Sequence, residues 1–168
     1  MNIGPFEPAR HDRTGFSCGH AGLDEYLRRY AGQGIRNGLV QVYVAADDGG
    51  RVLGYYTLSA ASVRHEEWSD EARRGLPKYP VPAVLIGRMA SDARAREAGL
   101  RVGSRLLIHA LKQSLRAAKI LGVRCVIVDS KPDAAGFYQR FGFLPLQPGS
   151  PRLYLPVGAI ERLAGQGA

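Results

Sequence analysis

The chain of 168 residues is 45% hydrophobic and 23% charged, with two cysteines and a formal net charge of +8, which fits one globular domain built on a single good core. No apolar run approaches the ~20 residues that span a bilayer, and Met1-Asn2-Ile3-Gly4-Pro5-Phe6-Glu7-Pro8 lacks a basic region followed by an apolar one, so a soluble cytoplasmic protein without membrane association is expected. Cys18 and Cys125 are too few for a disulfide scaffold and too far apart for a CxxC pair. Neither suggests a metal, and Cys125, between Val123 and Val126, reads as a core residue.

Along the chain, Leu23 to Ala31 places apolar residues at helical spacing, with Gly32 and Gly34 expected to stop the helix. Val40 to Ala46 and Arg51 to Ser62 are β-rich runs joined by Asp47-Asp48-Gly49-Gly50, a hairpin signal. Arg64 to Tyr79 is charged and broken by Pro77, with Pro80 and Pro82 close behind, which predicts a helix-loop insertion on the surface. Leu85 to Ala90 is an apolar strand, followed by the glycine-punctuated turn Ala98-Gly99-Leu100-Arg101-Val102-Gly103-Ser104. A helix over Ser104 to Leu121 would bury Leu106, Leu107, Ala110, Leu111, Leu115 and Ala118, with Arg105, Lys112, Arg116 and Lys119 on another face. Val123 to Val128 is a second buried strand, and Arg152 to Val157 a last one after the turn Pro145 to Pro151. The expected organisation is one domain over 1–163 and a flexible tail over 164–168.

Charge is unevenly distributed. Arg64 to Arg124 holds 13 Lys plus Arg against 6 Asp plus Glu, so +7 of the +8 lies there. Such a segment beside a phosphate-sized turn favours a polyanionic partner. The turn itself delivers backbone N–H groups into a helix start, where unpaired donors and the helix dipole favour pyrophosphate. The chain lacks GxxxxGK[ST] and GxGxxG with its distant acid, which removes support for nucleotide hydrolysis and dinucleotide binding. His11, His20, His65 and His109 are scattered without metal-ligand spacing, and His109 reads as structural. Glu66, Glu67, Asp70 and Glu71 read as a solvated helix face.

Several motifs taken in order resemble the GNAT N-acetyltransferase family, and within it the toxins paired with ribbon-helix-helix antitoxins. They are Phe16-Ser17-Cys18-Gly19 with Leu23-Asp24-Glu25-Tyr26-Leu27, Gly54-Tyr55-Tyr56-Thr57-Leu58-Ser59, Gly87-Arg88-Met89-Ala90, the turn into Leu106-Leu107, and Phe137-Tyr138-Gln139-Arg140-Phe141-Gly142-Phe143 with Leu153-Tyr154-Leu155-Pro156. The resemblance covers nearly the whole chain. One departure stands out. The family turn usually reads Gln/Arg-x-x-Gly-x-Gly/Ala, whereas here Ala98 takes the first position and Arg101 stands where a glycine is expected.

The resemblance implies an α/β (α+β) GNAT fold with a mixed central sheet flanked by helices, acetyl-coenzyme A as donor and no metal. Met89, Ala90 and Ser91 would offer backbone groups to the pantetheine arm. Arg96, Gly99, Leu100, Arg101, Val102, Gly103 and Ser104 would meet the phosphates, and Ser130 and Phe137 would lie by the thioester, where the next strand splays away near Asp129. Tyr138 is the implied general acid: a thiol has a pKa near ~8.5 and a phenol near ~10, so a tyrosine can reprotonate the departing sulfur. The implied acceptor is the α-amine of aminoacyl-tRNA, whose acetylation blocks translation. A neutral amine is accessible there without a dedicated base, since an α-amino group titrates near ~8. Arg28, Arg29, Arg36, Arg73, Arg74, Lys78 and Arg94 are the candidates for its phosphate backbone. A cognate antitoxin and a homodimer are implied as well. Two readings stay open: acetylation of a protein N-terminus, a lysine or a small amine, and a non-catalytic binding protein whose turn degenerated at Ala98 and Arg101.

Overall fold

The computed structural model describes residues 1–166. In chain order these form β1 (Asn2–Pro5), α1 (Ala21–Glu25), a π-helical segment (Tyr26–Tyr30), α2 (Ala31–Arg36), β2 (Gln41–Ala46), β3 (Val52–Val63), a 3-10 turn (His65–Glu67), β4 (Val81–Ser91), α3 (Ala93–Glu97), α4 (Val102–Ala118), β5 (Cys125–Asp129), α5 (Ala135–Arg140), β6 (Leu144–Pro145), β7 (Arg152–Pro156) and α6 (Val157–Gln166). The sheet has seven strands in the order β1-β2-β3-β4-β5-β7-β6. Parallel pairing of β4 with β5 stands beside antiparallel β1/β2, β2/β3, β5/β7 and β6/β7. This is the mixed α/β class expected. The chain divides into two compact units, Met1–Ser59 with Gly87–Ala110, and Ala60–Ile86 with the chain from Leu111 onward.

In the first unit the hairpin β2/β3 forms around Asp47, whose carboxylate accepts from the N–H groups of Gly49 and Arg51, and Gly50 turns left-handed at φ 85. Its core gathers Phe6, Phe16, Leu27, Ala31, Val42, Val44, Tyr55 and Ala90. The helix that was expected to stop at Gly32 and Gly34 runs on to Arg36. Glycine weakens a helix by about 1 kcal/mol, but Leu27 and Ala31 are fully buried, which offsets that loss. Gly34 is a packing residue: a Cβ there would stand 2.8 Å from Val40 Cγ1 and 3.4 Å from the Tyr26 hydroxyl.

In the second unit the β4/β5 ladder runs from Ala83↔Cys125 to Ile86↔Val128. Its core contains Val63, Trp68, Val81, Cys125, Ile127 and Leu146, which places Cys125 as expected. The segment Arg64 to Tyr79 corrects the reading of a surface helix. Its regular structure is the single 3-10 turn, and Trp68 is buried with its ring edge-on to Tyr154 at 5.0 Å. The acidic residues there are accordingly not a helix face; Glu67 takes the N–H of Arg64 at 2.6 Å and lies 3.7 Å from Arg152. On α4, Leu106, Leu107, Ala110 and Leu111 are buried, Leu115 and Ala118 only half so, and Arg105, Lys112 and Arg116 are exposed; the helix ends at Ala118 and not at Leu121, which leaves the exposed Lys119 just past its end. Sequence reading missed β1, α3, β6 and α6, which are short or glycine-bearing. Helix α6 covers residues 164–166 of the expected tail, and 167–168 lie outside the described residues.

Candidate active site

The expected phosphate turn is built by two helices and a left-handed link. At the end of β4 the buried Asp92 caps α3, accepting from Arg94 N–H at 3.0 Å and from Ser17 N–H at 3.2 Å. Helix α3 closes at Gly99 (φ 72), with Leu100 N–H donating to Ala95 O at 3.1 Å. Arg101 then adopts φ 52 and accepts, through its carbonyl, the N–H of Arg105 at 3.3 Å, the first bond of α4. The helix begins at Val102, two residues earlier than expected from the sequence. Its intrahelically unpaired donors are those of Arg101, Val102, Gly103 and Ser104. The departure at Arg101 acquires a physical meaning here: the family pattern asks for glycine where the backbone turns left-handed, and a non-glycine residue held there costs about 1 kcal/mol.

What seats this helix start is Gly54 on β3. A Cβ at that position would lie 2.6 Å from Val102 Cγ1, 2.9 Å from Leu106 Cδ1 and 2.9 Å from Ala90 O. Any side chain would lift the first turn of α4 away from β3 and β4, so the glycine fixes the turn's height above the strand carrying Met89, Ala90 and Ser91. Among these, Ala90 is buried while Met89 and Ser91 are half-buried.

Three arginines expected to meet polyanions are exposed and also hold one loop. Arg94 donates to Gly15 O at 3.0 Å, Arg28 to Phe16 O at 2.8 Å and Arg96 to Cys18 O at 2.9 Å. Arg96 also donates to the carbonyl of Ser91, tying the end of β4 to the same loop. Arg29 pairs with Glu25 at 3.5 Å, and Arg73 with Asp70. Arg36, Arg74 and Lys78 are exposed. Arg28, Arg29, Arg36 and Arg94 belong to the first unit; Arg73, Arg74 and Lys78 belong to the second.

In the second unit α5 carries the aromatic motif. Gly142 (φ 94) ends it, donating to Gln139 O, and the chain folds back so that Phe143 N–H reaches Tyr138 O at 3.3 Å. Tyr138 is buried between Phe137 and Phe143, both edge-on at 5.1 and 5.7 Å. Burial pushes its phenol up to about 12, so it is protonated throughout the physiological range. Ser130, also buried, donates its hydroxyl to Lys131 O at 2.8 Å and its N–H to Pro151 O. The β4/β5 pairing ends at Ile86↔Val128, although β4 runs on to Ser91 and β5 to Asp129. Asp129 receives two hydrogen bonds from Arg152, at 2.7 and 2.9 Å, a pair that no sequence motif announced.

No protein-family model matches the chain. A tRNA-acetylating toxin of Mycobacterium tuberculosis (strain ATCC 25618 / H37Rv) is 38% identical over 133 residues, which cover 79% of this chain and 78% of that protein. The chain belongs to the family of tRNA-acetylating toxins. Among solved structures, AtaT complexed with acetyl-methionyl-tRNAfMet superposes with a TM-score of 0.85 at 27% identity, covering 96% of this chain and 98% of AtaT. A tyrosine-to-phenylalanine variant of AtaT bound to acetyl-CoA and to the C-terminus of the antitoxin AtaR gives 0.80 at 26% identity, covering 96% of each chain.

In this member of the tRNA-acetylating toxin family His109 is half-buried and structural, as expected: its Nδ1 lies 2.7 Å from the Tyr56 hydroxyl, beside Tyr43. Among the described residues no group of three or more His, Cys, Asp or Glu is placed to hold a metal ion, and no helix is long and apolar enough to cross a membrane. Sequence reading noted Arg88 only within the motif Gly87-Arg88-Met89-Ala90. Its guanidinium carbon lies 3.8 Å above the Tyr26 ring centroid, and its backbone N–H donates to the buried Thr57 hydroxyl at 3.0 Å.

Proposed function

We propose that this toxin-family chain transfers acetyl from acetyl-coenzyme A to the α-amino group of aminoacyl-tRNA, blocks translation, and is neutralised by a cognate antitoxin. The observation that carries the reading is its 38% identity to a tRNA-acetylating toxin. The product-bound AtaT fold supports it. On the resemblance to the toxin branch, we infer further that the antitoxin is of the ribbon-helix-helix type, that the chain works as a homodimer, and that it acts in the cytoplasm, where charged tRNA is found.

The residues present fit a coenzyme A thioester, since α4 opens on the left-handed link at Arg101 and sits flush on Gly54. The free N–H groups of Arg101 to Ser104 would hold pyrophosphate, with the exposed Arg101 guanidinium available to a phosphate. Met89, Ala90 and Ser91 would pair with the pantetheine arm, and Ser130 and Phe137 would line the thioester end. Acetyl-coenzyme A supplies an activated acyl group with a thiolate as leaving group. A backbone N–H near the end of β4 would stabilise negative charge developing on the carbonyl oxygen.

Tyr138 is the acid. A phenol near 12 is a poor donor to a thiolate in water, but the donor and acceptor share the effect of desolvation. Removal of a departing thiolate from water raises its basicity in the same direction, so a phenol that stays protonated at neutral pH can return a proton to the sulfur. No base is required on the protein because an α-amine near ~8 is partly neutral at cellular pH.

The test is transfer of labelled acetyl from acetyl-coenzyme A to a pool of charged tRNAs, wild type against Tyr138→Phe. Label on the amino acid that largely disappears in the variant supports donor, acceptor and acid together. Absence of transfer with coenzyme A binding intact sinks the tRNA reading, and failure to bind coenzyme A favours a non-catalytic protein.

A further inference from the structure

The π-helical segment Tyr26–Tyr30 is an uncommon element held in place from outside. Tyr55 donates its hydroxyl to Leu23 O at 2.7 Å, and Arg13 donates to Leu27 O at 2.8 Å, so carbonyls at and just before this wider turn are satisfied by side chains from elsewhere. Arg28, within the segment, donates to Phe16 O. The outcome of this pinning is the placement of Tyr26. Its ring lies nearly parallel to that of Tyr55, at 6.2 Å and 19°, and carries the Arg88 guanidinium on its face.

Arg88 is itself fixed at the backbone, through the bond from its N–H to Thr57 Oγ1. Gly87 and Arg88 are both exposed, which interrupts the alternation of β4 between the buried Ile86 and Ala90. The side chain is thus exposed yet ordered by an aromatic ring beneath it, a state in which little conformational entropy remains to be lost on binding. A guanidinium stacked in this way has one face covered, while its N–H edges match phosphate and its other face accepts a flat base.

We propose that Arg88 and Tyr26 form the platform that takes the unpaired 3′-terminal nucleotide of the acceptor tRNA, and so position the aminoacyl group for transfer. This rests on the functional reading given above. If phosphates lie at the start of α4 and the pantetheine arm follows Ser91 back to Met89, the next residue back along β4 is Arg88, at the acetyl end. The acceptor amine has to arrive at that end. A single-stranded nucleotide is bound by stacking together with charge, and the Arg88–Tyr26 pair supplies both. Arg88 is here a positioning residue, acting on the acceptor's nucleotide and not on the reacting atoms.

The test combines kinetics with binding of a short oligoribonucleotide ending in CCA. Arg88→Ala should raise KM for charged tRNA roughly tenfold, in keeping with the loss of one stacked base, with kcat and the KM for acetyl-coenzyme A little changed. The same variant should acetylate an amino acid ester, which carries no nucleotide, at the wild-type rate. Arg88→Lys should restore little of the loss because an ammonium neither stacks nor forks. Full rescue by lysine, equal damage with the ester, or an unchanged KM for charged tRNA would each overturn the proposal. If wild type transfers nothing to charged tRNA but binds the oligoribonucleotide through Arg88, the functional reading fails and the platform stands; transfer without any dependence on Arg88 reverses that outcome.

Discussion

Gly54 lies so close to Val102 that a Cβ at position 54 would stand 2.6 Å from the valine's Cγ1. The contact couples a glycine in the middle of β3 to the first turn of α4, whose free N–H groups are the proposed phosphate donors. Gly54→Val cannot be accommodated by a flexible side chain, because Ala90 O, a backbone atom, is also 2.9 Å away. Overpacking of this kind costs about 1–3 kcal/mol. The expected outcome is a lowered midpoint in thermal unfolding together with weaker coenzyme A binding by calorimetry. A stable variant with unchanged affinity would show that the height of α4 above β3 is irrelevant to the site.

Arg101 makes a second prediction, because its backbone and its side chain pull in opposite directions. Arg101→Gly removes about 1 kcal/mol of left-handed strain and adds a comparable loss through the freer unfolded chain, so stability should hardly change. If the guanidinium reaches a phosphate, the same variant should weaken coenzyme A several-fold, and less so at high salt. Titration of coenzyme A at two salt concentrations decides it. Unchanged or tighter binding would mean that arginine at this position only weakens the turn.

How far the sequence could be read depended on whether the relevant force was local. The hairpin at Asp47 to Gly50 and the helix around Leu106 and Leu107 were legible, since turn chemistry and periodicity are properties of neighbouring residues. Gly34 was misread as a stop because the contact that needs it, with Val40 and the Tyr26 hydroxyl, is tertiary. Trp68 was misplaced to the surface because charged neighbours and prolines hid a residue that packs on Tyr154, 86 positions away. Arg94 and Arg96 were legible as cations near the turn, but their donors are engaged by carbonyls 79 and 78 residues distant. Tyr138 was legible as a candidate acid only through its motif; its burial depends on the return of Phe143 after Gly142.

That engagement divides the basic residues into two groups with different expected behaviour. Arg28→Ala, Arg94→Ala and Arg96→Ala each release a carbonyl of the loop Gly15 to Cys18, and each should lower stability by about 1 kcal/mol, as a charge-assisted hydrogen bond in a half-exposed setting does. Arg74 and Lys78 are exposed. Each, if it meets a phosphate of tRNA, should on replacement by alanine leave the melting temperature alone and reduce the slope of log affinity against log salt by nearly one. Filter binding of tRNA across a salt series, paired with melting curves, separates the groups. A salt slope that moves only with Arg28, Arg94 and Arg96 would reverse the assignment.

Alkaline pH tests Tyr138 in two independent ways. Burial raises its phenol from 10.0 to about 12, and raises the thiols of Cys18 and Cys125 from 9.0 to about 11 and about 12. In each case the folded chain keeps a proton that the unfolded chain has released, so folding stability is intact below about pH 9 and declines as pH rises from there towards about 12. Urea unfolding should follow that course, and Tyr138→Phe should flatten the part of the decline above about pH 10. Catalysis should behave differently. An acid that stays protonated leaves kcat without an alkaline limb of its own below about pH 11, while Tyr138→Phe should lower kcat about 100-fold at every pH below that, with coenzyme A affinity unchanged. A kcat that instead rises with pH through the alkaline range, with the rise lost in Tyr138→Phe, would mean that the phenol works ionised, as a base.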